Sequence, residues 1–167
     1  MECYIEPMNH TLYIEQEFFS LWGRYTVQNE AEQVVYTVQG EPSLTRRQIV
    51  YNAANQPVGQ IHQAMLTFLG RFEIDIDGKP VGTIQQKFGF RTKLELDYFG
   101  WHVQGDFLGW NYDVFDQNGQ QIAMIRKEIW HLTDHYAIHY NDPQNALALL
   151  LLALAIDCIC DNAAAAA

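Results

Sequence analysis

Residues 146–156 read ALALLLLALAI, eleven apolar residues without a break. At 100° per residue the leucines and the isoleucine occupy every face of a helix, so this helix has no side to offer to water. It must be enclosed all round. The run is well short of the roughly 18 apolar residues that cross a bilayer, so protein must form the enclosure. The start of the helix is marked. Asn141-Asp142-Pro143 ends the preceding segment, Asp142 suits the N-cap, and Pro143 suits the first helical position, where its missing N–H costs nothing. A helix from Pro143 to Cys160 would be about 27 Å long.

What precedes the helix is repetitive. YTVQNEAEQVVYTVQG from Tyr25, QIVYNAANQPVGQIHQ from Gln48, FEIDIDGKPVGTIQQK from Phe72 and YDVFDQNGQQIAMIRK from Tyr112 share one form. Each is a short alternating strand, a turn rich in Asn, Asp or Gly, and a second alternating strand. Asp77-Gly78 and Asn118-Gly119 are hairpin signals, because tight hairpin turns need positive φ at their central residues. The links repeat as well: FSLWGRYTV (19–27) matches LTFLGRFEI (66–74) type for type, with looser copies at 87–96 and 130–138. Units recur about every 18 to 24 residues, which marks a repeated supersecondary element. The pattern predicts twelve strands near 12–17, 24–28, 34–39, 47–51, 58–63, 71–76, 81–87, 93–97, 101–106, 111–115, 121–127 and 136–140. Phe72, Ile74 and Ile76 share one face and Glu73, Asp75 and Asp77 the other, as expected of a sheet with one dry side.

A helix that needs enclosure and a strand array that needs filling solve each other. Twelve strands closed into a barrel leave a wide lumen, and the helix fills it. In one aligned column stand Ile14, Val38, Ile61, Ile84 and Ile125. Two residues earlier stand Leu12, Tyr36, Gly59, Gly82 and Ala123, whose small members are expected to leave room for the helix. The fold is therefore mainly β, a twelve-stranded antiparallel barrel around a hydrophobic C-terminal α-helix. One domain spans 1–162, and 163–167 is a poly-alanine tail, read as a helix extension or as unassigned side chains.

With those residues in place, the chain resembles the LURP-one-related family of the Tubby C-terminal-like superfamily, which also holds the phospholipid scramblases. The resemblance runs from about Leu12 to Ile159. It rests on YIEQEFFSLWGRYTV, the LGRFEI-type links, WHVQGDFLGWNYDV and the closing LALAID. It implies a twelve-stranded barrel around a hydrophobic helix. This branch has no established reaction. Tubby-type domains bind phosphoinositides through basic side chains, and scramblases act at membranes, but no motif here carries those basic residues over one by one.

Charge and cysteine content narrow the function. Ten Lys and Arg against twenty Asp and Glu give a net charge of −10, which opposes nucleic-acid binding. Cys3, Cys158 and Cys160 are odd in number and lack framework spacing, so no disulfide scaffold is expected. MECYIEPMNH has no signal-peptide form. These features point to a reducing, cytoplasmic setting.

Lys87, Arg91 and Lys93 flank one link with no acid between them, and Arg126 and Lys127 lie in a later strand. They are the candidate contacts for an anionic ligand, weighed against ordinary solubilising charge. His131 and His135 have metal-chelating spacing, but Ser20/Arg24 and Thr67/Arg71 fill the same columns elsewhere, so no metal is assigned. Glu73, Asp75 and Asp77 read as a solvated face. Asp157 and Asp161 are expected to reach solvent at the barrel mouth. Trp22, Trp101, Trp110 and Trp130 are expected to pack the barrel ends rather than form a partner-binding patch. No catalytic or cofactor motif appears, and a filled lumen leaves no interior pocket. The expectation is a non-enzymatic, cofactor-free cytoplasmic module binding a protein or an anionic lipid headgroup at the barrel surface. It would span no membrane. A structural or signalling adaptor without lipid affinity is the alternative, and a surface-cleft enzyme comes last.

Overall fold

The computed structural model describes residues 7–16, 23–42, 45–65, 70–87, 89, 93–130 and 133–165. Twelve strands form: β1 (His10–Gln16), β2 (Arg24–Gln28), β3 (Val34–Glu41), β4 (Arg47–Asn52), β5 (Pro57–Gln63), β6 (Arg71–Ile76), β7 (Lys79–Lys87), β8 (Lys93–Tyr98), β9 (His102–Asp106), β10 (Asn111–Phe115), β11 (Gln121–Trp130) and β12 (Thr133–Tyr140). A 3₁₀ turn, Pro143–Asn145, leads into helix α1 (Ala146–Ala165). Every paired neighbour is antiparallel, and β1 pairs with both β2 and β12, which ties the two ends of the meander together. The sheet is open only between β8 and β9, so the barrel is nearly closed. These two edge strands are joined by a tight turn, closed by Trp101 N–H to the Tyr98 carbonyl at 2.9 Å. No ladder continues beyond it.

We call the end where α1 begins the top and the end where it finishes the bottom. The helix occupies the lumen as its composition requires. Leu149, Leu150, Leu151, Leu152, Ala153, Leu154, Ala155 and Ile159 are all at 0% exposure. Each buried leucine contributes about 2 kcal/mol relative to solvent. The opposing lumen surface comes from alternate residues of the strands. Ile14, Val38, Ile61, Ile84 and Ile125 are all fully buried, as their shared column predicts. The helix also takes one polar tether, from Tyr98 Oη–H to the Ala148 carbonyl at 2.8 Å. By length and composition the segment Pro143–Asn162 would be enough to cross a bilayer, which corrects the expectation from the eleven-residue run. The enclosing strands, not the length, decide the matter.

The hairpin turns show how the repeat is built. In Asn29–Gln33, Asn52–Gln56 and Asp116–Gln120 the first residue's Oδ1 accepts from the backbone N–H groups two and four residues on. The fourth residue, Glu32, Asn55 or Gly119, is left-handed. The expectation for Asn118-Gly119 is thereby corrected. Only Gly119 has positive φ, because a three-residue loop carries one left-handed residue before a bulge. Asp77-Gly78 has both residues left-handed, as a two-residue turn demands. Asp142 is an N-cap as expected, but of the 3₁₀ turn that leads into α1, which starts at Ala146 and not at Pro143; its Oδ1 accepts from Gln144 N–H at 2.9 Å.

The two lumen glycines differ. A Cβ at Gly59 would stand 2.9 Å from Leu151 Cδ1, so this glycine does admit the helix. A Cβ at Gly82 would stand 2.1 Å from the Asp97 carbonyl oxygen of β8, so this glycine serves the strand crossing and not the helix. Gly82→Ala is therefore expected to lower stability by more than about 2 kcal/mol, and Gly59→Ala by less, because a leucine tip can yield and a backbone carbonyl cannot. Chemical denaturation of both variants checks the order. Truncation before Ala146 should abolish cooperative unfolding, because the lumen surface then faces water; a truncated chain with a sharp transition would overturn this account of the core.

Candidate functional site

Antiparallel meander topology sorts side chains by end. Arg24, Arg47, Arg71 and Lys93 each open a strand that starts at the bottom, and Lys87 closes one that finishes there. Arg46 precedes β4 at the same end, and Arg126 and Lys127 lie in the bottom half of β11. Among the described residues Lys79 is the one Lys or Arg at the top. The top connections instead carry Glu30, Glu32, Asp77, Asp116 and Asp142. The charge of −10 is thus unevenly distributed. The acids at the top have little counter-charge, while at the bottom the gathered basic side chains are accompanied by Glu15, Glu41, Glu95, Asp106, Glu128 and Asp161.

At that end Lys87 and Lys93 face each other directly across β7 and β8. Like charges so placed repel. Glu95 on β8 forms an ion pair with Lys87 and relieves part of this. Arg91 lies outside the described residues. Arg126 is engaged: it donates to Asp113 Oδ1 at 2.6 Å and to the carbonyls of Tyr112 and Ile125 at 2.9 and 2.8 Å. It acts as a brace between strands. Lys127 is exposed beside it. Arg47 pairs with Glu41 at 3.2 Å, and the buried Nε of Arg71 has no acceptor among the described residues. Arg24, Arg46, Arg47 and Arg71 were not singled out by sequence reasoning. Their signal was available, since the GRY of 23–25 and the GRF of 70–72 fall at the same point of the repeat.

The last turns of α1 also end at the bottom. Asp157 is not a solvent-reaching terminal group, which corrects the expectation. Tyr25 Oη–H donates to its Oδ2 at 3.1 Å, and the Trp110 side chain donates a second hydrogen bond. Burial, with the charge of Asp161 one turn on, pushes its pKa up to about 6. Asp161 does reach solvent, where Arg46 Nη1 meets its Oδ2 at 3.3 Å. Cys158 and Cys160 are buried free thiols, each pushed up to about 12, first by burial and then by Asp157 nearby. They stay protonated and unreactive.

The remaining candidates resolve simply. Glu73 pairs with His62 across the strands at 2.9 Å, and Asp75 accepts from Gln60, so both belong to the outer face. Trp101 and Trp110 are buried packing residues, the latter stacked on Tyr136 at 3.7 Å. Cys3, Trp22 and His131 lie outside the described residues, as does the side chain of Trp130. Among the described residues no group of His, Cys, Asp and Glu could hold a metal ion.

A family model described as LURP-one-related matches residues 10–157. The chain is 23% identical over 154 residues to the uncharacterized protein YxjI of Bacillus subtilis, covering 90% of this chain and 94% of that one. An X-ray structure of an Arabidopsis thaliana protein superposes with a TM-score of 0.61 at 14% identity, over 92% of this chain and 93% of the other. That likeness is one of fold.

The buried Asp157 carries a stability consequence. Its folded pKa is above the usual carboxylate value, so folding favours the protonated form. The cost is absent below about pH 4, grows as pH rises to about 6, and is constant above that. Two pKa units correspond to about 3 kcal/mol. Asp157→Asn keeps an acceptor for Tyr25 and removes the charge. Its stability gain over wild type should rise from near zero at pH 4 to about 2–3 kcal/mol at pH 7, read from denaturation curves across that range.

Proposed function

The chain belongs to the LURP-one-related family, and on that premise we propose that it is a non-enzymatic cytoplasmic module whose basic side chains at the bottom engage an anionic lipid headgroup. The observation that carries this reading is the convergence of Arg24, Arg47, Arg71, Lys87 and Lys93 at one end of the barrel while the acids at the other have little counter-charge. Net charge alone would repel an anionic surface. This distribution lets the protein approach with the end where its basic side chains gather and keep the uncompensated acids of the top in solvent, beyond the screening length of about 8 Å. Each basic residue near such a surface contributes about 1 kcal/mol. The superfamily resemblance points the same way, since Tubby-type domains read phosphoinositides through basic side chains.

The non-catalytic reading has its own support. The one strongly perturbed carboxyl among the described residues, Asp157, lies at the bottom under Tyr25 and Trp110. The described cleft lies at the top. The length of α1 separates them, so this raised carboxyl does not face the described cleft. The low reactivity of Cys158 and Cys160 removes thiol chemistry from the bottom.

Co-sedimentation with vesicles containing phosphoinositide, at low and physiological salt, tests the proposal. Wild type should bind in a salt-sensitive manner and ignore neutral phosphatidylcholine vesicles. The triple variant Lys87→Ala, Arg91→Ala, Lys93→Ala should lose most of that binding, at about fivefold per residue. Absence of binding at low salt, where exposed charges act most strongly, would overturn the lipid reading and turn the search to protein partners.

A further inference from the structure

The barrel wall is unpaired along one seam. β8 and β9 follow each other in the chain, yet β8 pairs with β7 and β9 with β10, and the two do not pair with each other. Among the described residues one backbone hydrogen bond joins them, at their turn, from Trp101 N–H to the Tyr98 carbonyl. Alternate residues of a strand turn their backbone groups to opposite neighbours. The Tyr98 carbonyl points across the seam, so the N–H and C=O groups of Leu96 and Leu94 point the same way. We propose that this free edge of β8 receives an extended segment of a partner protein, laid antiparallel to β8, with apolar and basic side chains in alternation.

The inner face of the wall loses its cover toward the seam. Ile84 on β7 and Val114 on β10 are at 0% exposure. Leu96 stands opposite Ile84 and Val103 opposite Val114, each one strand nearer the seam and on the same face. Both, and Leu94, pack against the core yet keep part of their surface in solvent. Side chains of the same kind are thus buried one strand away and part-exposed at the unpaired edges. A strand added at the usual spacing of about 4.8 Å from β8 sets its inward side chains beside Leu94 and Leu96. Apolar side chains there extend the core, and the added backbone pairs with the free groups of β8.

The outer face sets the charge of the occupant. Glu95 and Asp97 project outward from β8 and Asp106 from β9, and all three are exposed. Lys87 already holds Glu95, but Asp97 stands opposite Thr83 and has no ion-pair partner among the described residues. Outward side chains of an added strand lie beside these acids, and basic ones complement them. Of the two edges β8 is the better template. Its six residues pair with β7 in unbroken register, with no proline and no inward charge to blunt the edge, whereas Gly105 (φ 139°) distorts β9. A second copy of the chain fits less well. Its β8 carries the same two acids, and its β9, tied to β8 through the tight turn, would have to enter the seam with it.

Amide spectra and hydrogen exchange of the ¹⁵N-labelled full chain test this, with short capped peptides as probes. A peptide of alternating valine and lysine should shift the Leu94 and Leu96 amides saturably and slow their exchange. A peptide of the same composition without the alternation, and one of alternating valine and glutamate, should bind more weakly. With its valine side chains facing inward, the bound peptide turns the valine N–H groups to β8. N-methylation of the valines should therefore abolish binding, and N-methylation of the lysines should spare it. Asp97→Lys, an exposed substitution, should weaken the valine–lysine peptide about fivefold and favour the glutamate peptide. Shifts away from β8 and β9, no saturable binding, or binding indifferent to valine methylation would overturn the proposal. Dimers in sedimentation that protect Leu94 and Leu96 without any peptide would also overturn it and assign the seam to a second copy.

Discussion

A helix without a polar face is the constraint on which the rest of this structure depends. Every side of α1 has to be covered, and covering it from 149 to 159 takes a wall that goes all the way round. That requirement selects a barrel over a sandwich, since two flat sheets would leave two helix faces bare. It also dictates what the strands carry inward: fully buried Ile and Val in one layer, and glycine where the helix comes closest. The tether from Tyr98 to Ala148 then fixes the helix against sliding along the barrel axis.

Filling the lumen moves function outward, to the two ends and the outer face. The ends are chemically unlike because each strand pair returns the chain to the same side, so one column of the repeat always falls at the bottom and another at the top. Arginine in the first column and Asn or Asp in the second gather, in three dimensions, the basic side chains at one end and leave uncompensated acids at the other. The polarity of this molecule is thus a property of its repeat and not of any single loop.

Most of the architecture was legible in the linear chain. Period-2 alternation placed all twelve strands to within a few residues, because one face of each strand is dry and the other wet. The N-cap at Asp142 was legible from local chemistry. What was not legible depended on distance through space. Asp157 reads as a helix-end carboxylate until Tyr25, more than a hundred residues away, is brought onto it. Gly82 reads like Gly59, and only the path of β8 separates a glycine that admits a helix from one that admits a strand. The candidate site was half legible. Lys87 and Lys93 were found from their own link, whereas Arg24, Arg47 and Arg71 join them only once strand direction is known. Arg126 looked like their equal and proved to be bonded within the wall.

The position of α1 after all twelve strands has a consequence for biosynthesis. The strands emerge first, each with its dry face already patterned, and nothing in the chain made so far can cover them. The pairing of β1 with β12 joins segments more than 120 residues apart, so closure is also the contact with the highest loop-entropy cost. Until the last turns of the helix arrive, the nascent wall is an apolar trough with open edges, the kind of surface that chaperones hold. In this chain, then, the core helix is made after its wall, and a ribosome stalled between β12 and α1 would release a complete wall with nothing to close around.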